Sequence, residues 1–223
     1  MKMLYERLLD DGAFVHVAVT DRSDGDFAVG APDVERRRRH LVDRPWRWLQ
    51  QVHGAEVVDG DDPTVRPGVD GDAVLTSGND VALAVQAADC VPIALVSLDG
   101  PIGVVHAGWR GLVAGVIEAT AAELRRRSPG EVVAIVGPHI RPERYEFGAE
   151  LDELVERFGP SVAGQTSAGG PALDLGAAVR VVLGEASIDV AVDDGRCTSE
   201  PELFSYRLAG DRERHALVAW RTA

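Results

Sequence analysis

The sequence predicts an α/β fold of the mixed α+β kind, in which mixed sheets stack as a layered α/β sandwich. Short runs rich in Val, Ile and Ala follow one another through the middle of the chain, and Gly, Asp, Asn or Pro bounds each run, as is typical of packed strands. Apolar residues at helical spacing follow these runs, and strands and helices then mix without strict alternation. A doubly wound dinucleotide-binding sheet is disfavoured because no G-x-G-x-x-G sequence joins a predicted strand to a helix.

The first half of the chain predicts one helix and several strands. An apolar run at 14–19 is interpreted as a strand. Val34 and Leu41 flank the basic run 36–39 at helical spacing, which predicts a helix with an exposed basic face and no ligand site. Four further apolar runs predict strands at 73–75, 81–85, 93–96 and 102–105. Turn-forming residues predict flexible stretches at 21–26, 59–69 and 163–170.

The second half predicts two helices and three strands. Residues 112–127 are predicted as one amphipathic helix, because Val116, Ile117 and Leu124 share a face. Three arginines end this segment, where the helix dipole favours cations. The pattern then predicts a strand at 132–136, a helix at 175–185 and strands at 188–192 and 216–220.

Length and charge restrict the class of protein. The 223 residues fit one domain, 1–223, because about 150 residues per domain is only a soft prior. With 23 Lys and Arg against 36 Asp and Glu, the net charge of −13 disfavours a nucleic-acid partner, which needs clustered cations. The most apolar segment, 81–98, is interrupted by Gln86 and Asp89, so no membrane helix is predicted. Two cysteines and the lack of an apolar leader predict the cytoplasm, while the oligomeric state stays open.

Three segments place metal-compatible side chains at the ends of predicted strands. They contain His53 (Gln-Val-His-Gly), Cys90 (Ala-Asp-Cys-Val-Pro) and His106 (His-Ala-Gly-Trp-Arg-Gly). Two imidazoles and a thiolate are good Zn²⁺ ligands, and a zinc ion with three protein ligands keeps its fourth position for water or substrate. His53 precedes Cys90 by 37 residues and His106 follows it by 16, and no short metal motif covers such gaps. A buried cysteine and two hydrogen-bonded histidines are therefore the alternative interpretation.

Four other residues are candidates for catalysis or substrate binding. Asp72 is a candidate general base or a carboxylate that orients a ligand imidazole, with a turn aspartate as the alternative. Arg110 offers a planar fork for phosphate and is otherwise a structural arginine. Gln51 is a candidate for hydrogen bonds to a purine or ribose, or else satisfies the backbone of a strand end. His139 follows Gly137 and Pro138 in a predicted loop and is a candidate pocket residue.

The order of these motifs resembles the YfiH/laccase-domain family, also called DUF152 or the multicopper polyphenol oxidase family. The resemblance is most specific from 52 to 148, through the three segments above and the Asp-Gly-Asp-Ala-Val-Leu-Thr run at 70–76. It continues more weakly through four short segments. These are 136–138 with 145–148, 173–175, 197–198 and the Phe-Ser-Tyr-Arg run at 204–207.

This resemblance implies both a chemistry and a ligand set. His53, Cys90 and His106 match the family's zinc ligands, and the fold implied is the family's layered α/β sandwich. The implied activity is phosphorolysis of adenosine or inosine, with related deamination. Members usually carry a Gly-Gly-x-Ser loop and an Asn-Leu-Gly segment, whereas residues 23–30 here are shorter and lack Asn-Leu-Gly. A divergent zinc-binding paralogue of low activity is therefore an alternative.

Two further functions stay open from the residues alone. A thiol hydrolase or deamidase would use Cys90 as nucleophile and His106 as its base. A copper polyphenol oxidase needs more soft and imidazole ligands than six histidines and the two methionines, Met1 and Met3, readily supply. The sequence thus predicts zinc rather than copper as cofactor. It also predicts a purine nucleoside and phosphate as the small-molecule partners.

Overall fold

The computed structural model describes residues 1–223 and contains two large sheets, one small sheet and six α-helices. The five-stranded sheet has the spatial order β1 (Lys2–Leu8), β2 (Phe14–Val19), β13 (His215–Thr222), β6 (Ala82–Ala87) and β3 (Trp46–Arg47). The six-stranded sheet has the order β12 (Asp189–Asp193), β9 (Val132–Val136), β7 (Val91–Ser97), β8 (Ile102–Ala107), β5 (Ala73–Thr76) and β4 (Val57–Asp59). β10 (Ala163–Gln165) pairs with β11 (Pro171–Leu173).

The helices are α1 (Val34–Leu41), α2 (Trp109–Ala114), α3 (Val116–Arg127), α4 (Leu151–Phe158), α5 (Leu175–Glu185) and α6 (Tyr206–Ala209). Pairing is parallel for β3 with β6, β4 with β5 and β12 with β9, and antiparallel elsewhere. Both large sheets are therefore mixed. No helix combines the length and the apolarity that crossing a membrane requires.

The two large sheets pack face to face, and helices cover their outer faces. Alternate residues of a strand point to opposite faces of its sheet. Ala94 and Val96 of β7 enter the core between the two sheets. Ile93 and Leu95 of the same strand pack with residues of α2, α3 and α5. On the far side, Val34 of α1 packs against the outer face of the five-stranded sheet. The predicted α/β class with mixed, layered sheets is confirmed.

The prediction of a single helix at 112–127 is wrong in the first turn. Two helices stand there instead, since α2 begins at Trp109 and Gly115 separates it from α3. Gly115 has φ of 88°, a left-handed conformation that glycine adopts without the steric penalty of a Cβ atom. The break leaves α2 close to the ends of the strands that precede it.

The basic face predicted for α1 is not wholly exposed. Arg38 is only 1% exposed, and its guanidinium lies 4.5 Å from the ring centroid of Trp48. Its Nη1 donates a hydrogen bond to Glu35 at 2.6 Å. An arginine can be buried in this way because its flat guanidinium stacks on aromatic rings.

Two of the predicted flexible stretches contain regular structure. A 3₁₀ turn, Arg22–Asp24, begins with a capping box formed by Asp21 and Asp24. β10 occupies the first three residues of the stretch 163–170. Turn-forming residues in these stretches therefore indicate short regular elements as well as loops.

Candidate metal centre

Strand pairing brings the three predicted ligand segments together where the inner strands of the six-stranded sheet end. β7 and β8 are antiparallel, and Pro92 lies opposite His106, so Cys90 just before β7 is near the end of β8. β5 also runs antiparallel to β8, and the His106 amide donates to the Asp72 carbonyl at 2.7 Å. The loop that carries His53 joins these strand ends through hydrogen bonds to Asp72. Residues far apart in sequence thus become neighbours.

The three side chains converge as a metal site requires. Their ligand atoms all lie within 4.8 Å of one another. His53 Nε2 and Cys90 Sγ are 3.8 Å apart, and the rings of His53 and His106 meet edge to face at a centroid distance of 4.8 Å. His106 is buried, Cys90 is half-buried and His53 is exposed, so the group is open to solvent on one side.

Asp72 holds two of these ligand segments in place. Its carboxylate is fully buried and accepts hydrogen bonds from the backbone N–H groups of Val52, His53 and Gly54 at 2.7–3.1 Å. His106 Nδ1 donates to Asp72 Oδ1 at 2.8 Å, which leaves Nε2 of His106 available as a ligand atom. Burial opposes ionisation of Asp72, but the hydrogen bonds from His106 and Gly54 outweigh it and lower the pKa of the carboxyl group. Asp72 is thus placed to orient ligands rather than to contact a substrate.

The charges of the site favour a thiolate. Burial would raise the pKa of the Cys90 thiol, but the charge of His106 and hydrogen bonds from His106 and His53 lower it to about 6. Burial disfavours protonation of His106, whereas the Cys90 thiolate and the Asp72 hydrogen bond raise the pKa of His106 to about 9. A thiolate is the form of cysteine that binds metals and acts as a nucleophile.

Gly108 leaves room for the ligand side chains. A Cβ atom at this position would lie 2.7 Å from His53 Cδ2 and 3.1 Å from Cys90 Sγ. The backbone of Gly108, with φ of −81° and ψ of 164°, suits any residue, so glycine is needed here for space alone.

We expect Gly108→Ala to weaken metal binding about tenfold or more, the lower range for loss of a supporting partner around a metal. The added methyl group must displace His53 or Cys90. Gly54→Ala is the matched control, because its Cβ atom meets nothing closer than 3.7 Å. Titration of both variants with zinc against a chromophoric chelator measures the difference. Equal zinc affinities in the two variants would show that His53 and Cys90 can shift without weakening metal binding.

Asp89 ties Cys90 to the C-terminal part of the chain. It has φ of 113°, a conformation that non-glycine residues rarely adopt, and it is only 8% exposed. Its carboxylate accepts hydrogen bonds from Thr198 Oγ1 and Ser205 Oγ at 2.7 and 2.6 Å and from the backbone N–H of Arg207 at 2.7 Å. The segment that follows Thr198 is therefore fixed beside a candidate ligand.

A cavity of about 480 Å³ opens at the three ligands. Gln51 lines it, but its side chain also satisfies strand backbone, the alternative that the sequence left open. Its amide is held by the backbone of Gln86, since Nε2 donates to the Gln86 carbonyl at 2.7 Å and the Gln86 N–H donates to Oε1 at 2.8 Å. Tyr145 and Tyr206 add aromatic surface to the lining.

Two predicted substrate-binding residues do not line this cavity. Arg110 is exposed, and its guanidinium stacks 4.1 Å from the ring centroid of Trp109. His139 is fully buried, donates from Nδ1 to the Gly137 carbonyl at 3.0 Å and accepts at Nε2 from Arg141 at 3.1 Å. Burial lowers the pKa of His139 to about 4, so it is a neutral histidine with both nitrogens engaged. The loop position that suggested a pocket residue belongs to the protein interior.

Sequence reasoning overlooked the cations that do line the cavity. Arg207, Arg212 and Arg214 all belong to its wall. The arginine-rich stretch 207–214 and the family-like run 204–207 were the available signals. Neither indicates by itself that these residues face His53 and Cys90.

The chain is similar to a known family and to named proteins over most of its length. A family model described as "Multi-copper polyphenol oxidoreductase laccase" matches residues 24–222. A protein of Xylella fastidiosa named purine nucleoside phosphorylase is 38% identical over 95% of this chain and 90% of its own length. One of Streptomyces coelicolor with the same activity in its name, SCO2081, is 36% identical over 78% of this chain and 74% of its own.

Solved structures share the fold. The Neisseria meningitidis protein NMB0706, described as a DUF152 member, has a TM-score of 0.83 at 23% identity and covers 99% of this chain and 98% of its own. YlmD of Geobacillus stearothermophilus has a TM-score of 0.78 at 28% identity, with 95% and 93% covered. The layered arrangement of two mixed sheets is therefore common to these proteins.

Proposed function

Because this chain belongs to the multi-copper polyphenol oxidoreductase laccase family, we propose that it is a zinc-dependent purine nucleoside phosphorylase acting on adenosine and inosine. The observation that carries the proposal is a cavity of about 480 Å³ with His53, Cys90 and His106 in its wall. Small-molecule sites have volumes of about 300–1,000 Å³. The names of the similar proteins supply the reaction class.

The donor set suits zinc. Two imidazoles and one thiolate are the ligands of a catalytic zinc site that keeps one position open. His53, Cys90 and His106 would hold the ion, and a bound zinc ion would act as a Lewis acid toward an oxygen of the substrate. The exposed side of this group is the side that opens into the cavity.

The residues around the group prepare it for substrate. Asp72 keeps the proton of His106 on Nδ1, so that Nε2 faces its ligand position. Gln51, held rigidly by Gln86, and the rings of Tyr145 and Tyr206 would orient the purine and ribose. In phosphorolysis an oxygen of phosphate bonds to ribose C1′ while the C1′–N9 bond breaks. The base leaves with that electron pair and takes up a proton.

Copper oxidase chemistry receives less support from the ligands. His53, Cys90 and His106 are the one group of three metal-compatible side chains in the protein. A multicopper cluster requires further soft or imidazole ligands around the same centre. The two methionines are Met1 and Met3, and Met3 lies in the edge strand β1. Zinc therefore remains the proposed cofactor.

A metal-free thiol hydrolase or deamidase is the second candidate. It is favoured by the lowered pKa of Cys90 beside two imidazoles, an arrangement that activates a thiolate nucleophile. Either chemistry needs Cys90 as a free thiol or thiolate, so we place the protein in a reducing compartment such as the cytoplasm.

Nucleoside turnover tests the proposal. Zinc-loaded protein should release hypoxanthine from inosine and adenine from adenosine in phosphate buffer, together with ribose 1-phosphate, and the metal-stripped protein should not. Chromatography separates the free bases, and also detects inosine formed from adenosine by deamination. A zinc-loaded protein that frees no more base than the stripped one contradicts the phosphorylase proposal. Conversion that persists without metal supports the thiol hydrolase instead.

A further inference from the structure

We propose that Arg207, Arg212 and Arg214 form a subsite for inorganic phosphate on the cavity wall shared with the ligands His53 and Cys90. The identity of phosphate as co-substrate rests on the proposed function. The anion-binding character of the subsite rests on the charge and hydrogen bonding of the cavity itself.

The cavity carries a charge opposite to that of the whole protein. The chain has a net charge of −13, yet three arginines and one carboxylate, that of Asp89, line this cavity. Asp89 is buried and already accepts three hydrogen bonds from Thr198, Ser205 and Arg207. Clustered cations at a concave surface raise the local concentration of anions.

The segment that carries the arginines is fixed before any ligand binds. Ser205 Oγ and the Arg207 N–H donate to Asp89, and the Ser205 N–H donates to Asp211 at 2.9 Å. The Arg214 N–H donates to Asp26 at 2.9 Å. These anchors fix the backbone that carries the arginines and leave the charges of their side chains unused.

The guanidinium groups themselves have donors to spare. The Arg212 side chain makes no hydrogen bond or ion pair, and its backbone N–H donates to Glu213. Arg207 Nη1 donates to the Glu146 carbonyl at 2.8 Å, and its guanidinium stacks 4.6 Å from the ring centroid of Tyr145. Arg214 Nη1 donates to the carbonyls of Asp211 and Glu213.

These contacts orient Arg207 and Arg214 without neutralising them, and the Arg212 guanidinium keeps all its donors. A carbonyl oxygen accepts a hydrogen bond but carries no net charge, and each guanidinium has five N–H donors. Arg207 and Arg214 each use one nitrogen in this way and keep the others for an anion. Arginine forks match the oxygens of phosphate in pairs, so such a site binds a tetrahedral dianion by charge and by geometry.

Binding of inorganic phosphate, measured by calorimetry on the zinc-loaded protein, tests the subsite. The variants are Arg212→Ala, Arg207→Ala and the double variant. Each single variant should raise the Kd for phosphate about tenfold, equivalent to about 1.4 kcal/mol. Arg212→Lys should recover part of the affinity, because lysine keeps the charge but loses the fork. Arg144→Ala is the matched control, an exposed arginine beside Tyr145 in sequence that is not part of the lining.

Steady-state kinetics separates this proposal from the proposed function. In an active enzyme the same variants should raise KM for phosphate more than KM for inosine and leave zinc content unchanged. If phosphate binds with the expected dependence but no base is released, the phosphorylase assignment fails and the subsite stands. If the wild type binds no phosphate, or if Arg110→Ala weakens binding while the double variant does not, the subsite is wrong.

Discussion

Replacing Cys90 with serine should remove nearly all bound zinc and all zinc-dependent nucleoside turnover. A hydroxyl group is a much poorer ligand than a thiolate for zinc. The remaining ligands, His53 and His106, would bind zinc with only two imidazoles, and a catalytic zinc site needs three protein ligands. Elemental analysis of the purified variant and base release from inosine measure the two effects.

Cys197→Ser is the matched control for this substitution. Cys197 is the other free cysteine, is also half-buried, and lies outside the ligand group and the cavity lining. We expect the Cys197 variant to keep its zinc and its activity. A Cys90 variant that keeps stoichiometric zinc but loses turnover would identify Cys90 as a nucleophile and favour the thiol hydrolase.

Asp72→Asn should weaken zinc binding by about 10- to 100-fold, the range for loss of a carboxylate that supports a metal-ligating histidine. Asp72 accepts four hydrogen bonds, three from backbone N–H groups of residues 52–54 and one from His106. The side-chain amide of asparagine carries an NH₂ group in place of one carboxylate oxygen. That NH₂ group would face N–H donors that now bind the carboxylate. His53 and His106 would both lose their orientation.

The same substitution should lower the stability of the protein. A buried donor left unpaired costs about 1–3 kcal/mol, and Asp72 is fully buried. Asp70→Asn is the matched control, since it makes the same chemical change two residues away at an exposed position. Thermal unfolding and chelator competition on both variants provide the readouts. Unchanged zinc affinity in Asp72→Asn would mean that packing alone orients the two histidines.

Local sequence patterns anticipated the regular elements where a pattern was sufficient. Helix α5 and strand β9 begin and end at the predicted residues, 175–185 and 132–136. The spacing of apolar residues within each segment predicts which side chains are buried, and this information is local to the segment. The break at Gly115 was missed because a glycine inside an apolar helical pattern does not reveal its φ. β1 was also missed, because its edge position leaves most of its side chains exposed and removes the alternating pattern.

The candidate ligands were chosen from the sequence for a chemical reason, because zinc prefers imidazole and thiolate. Cys90 and His106 lie at the ends of strand patterns, whereas His53 lies in the loop between β3 and β4. The role of Asp72 was left open between base and orienting group, and its contacts with the backbone of residues 52–54 favour the second.

Tertiary structure alone decided which cations reach the cavity. Arg110 is four residues from His106, which made it the candidate for phosphate, yet α2 directs it outward onto Trp109. Arg207, Arg212 and Arg214 are about a hundred residues further along the chain and line the cavity instead.

The sequence by itself determined the helices and strands with strong periodicity, the mixed α/β class and the types of ligand available. It could not determine which distant segments meet. Which segments meet depends on the pairing of β13 with β2 and β6, and on the hydrogen bonds by which Asp89 anchors the segment after Thr198. Both are contacts between residues more than a hundred positions apart, so their energy is gained only when the whole chain folds.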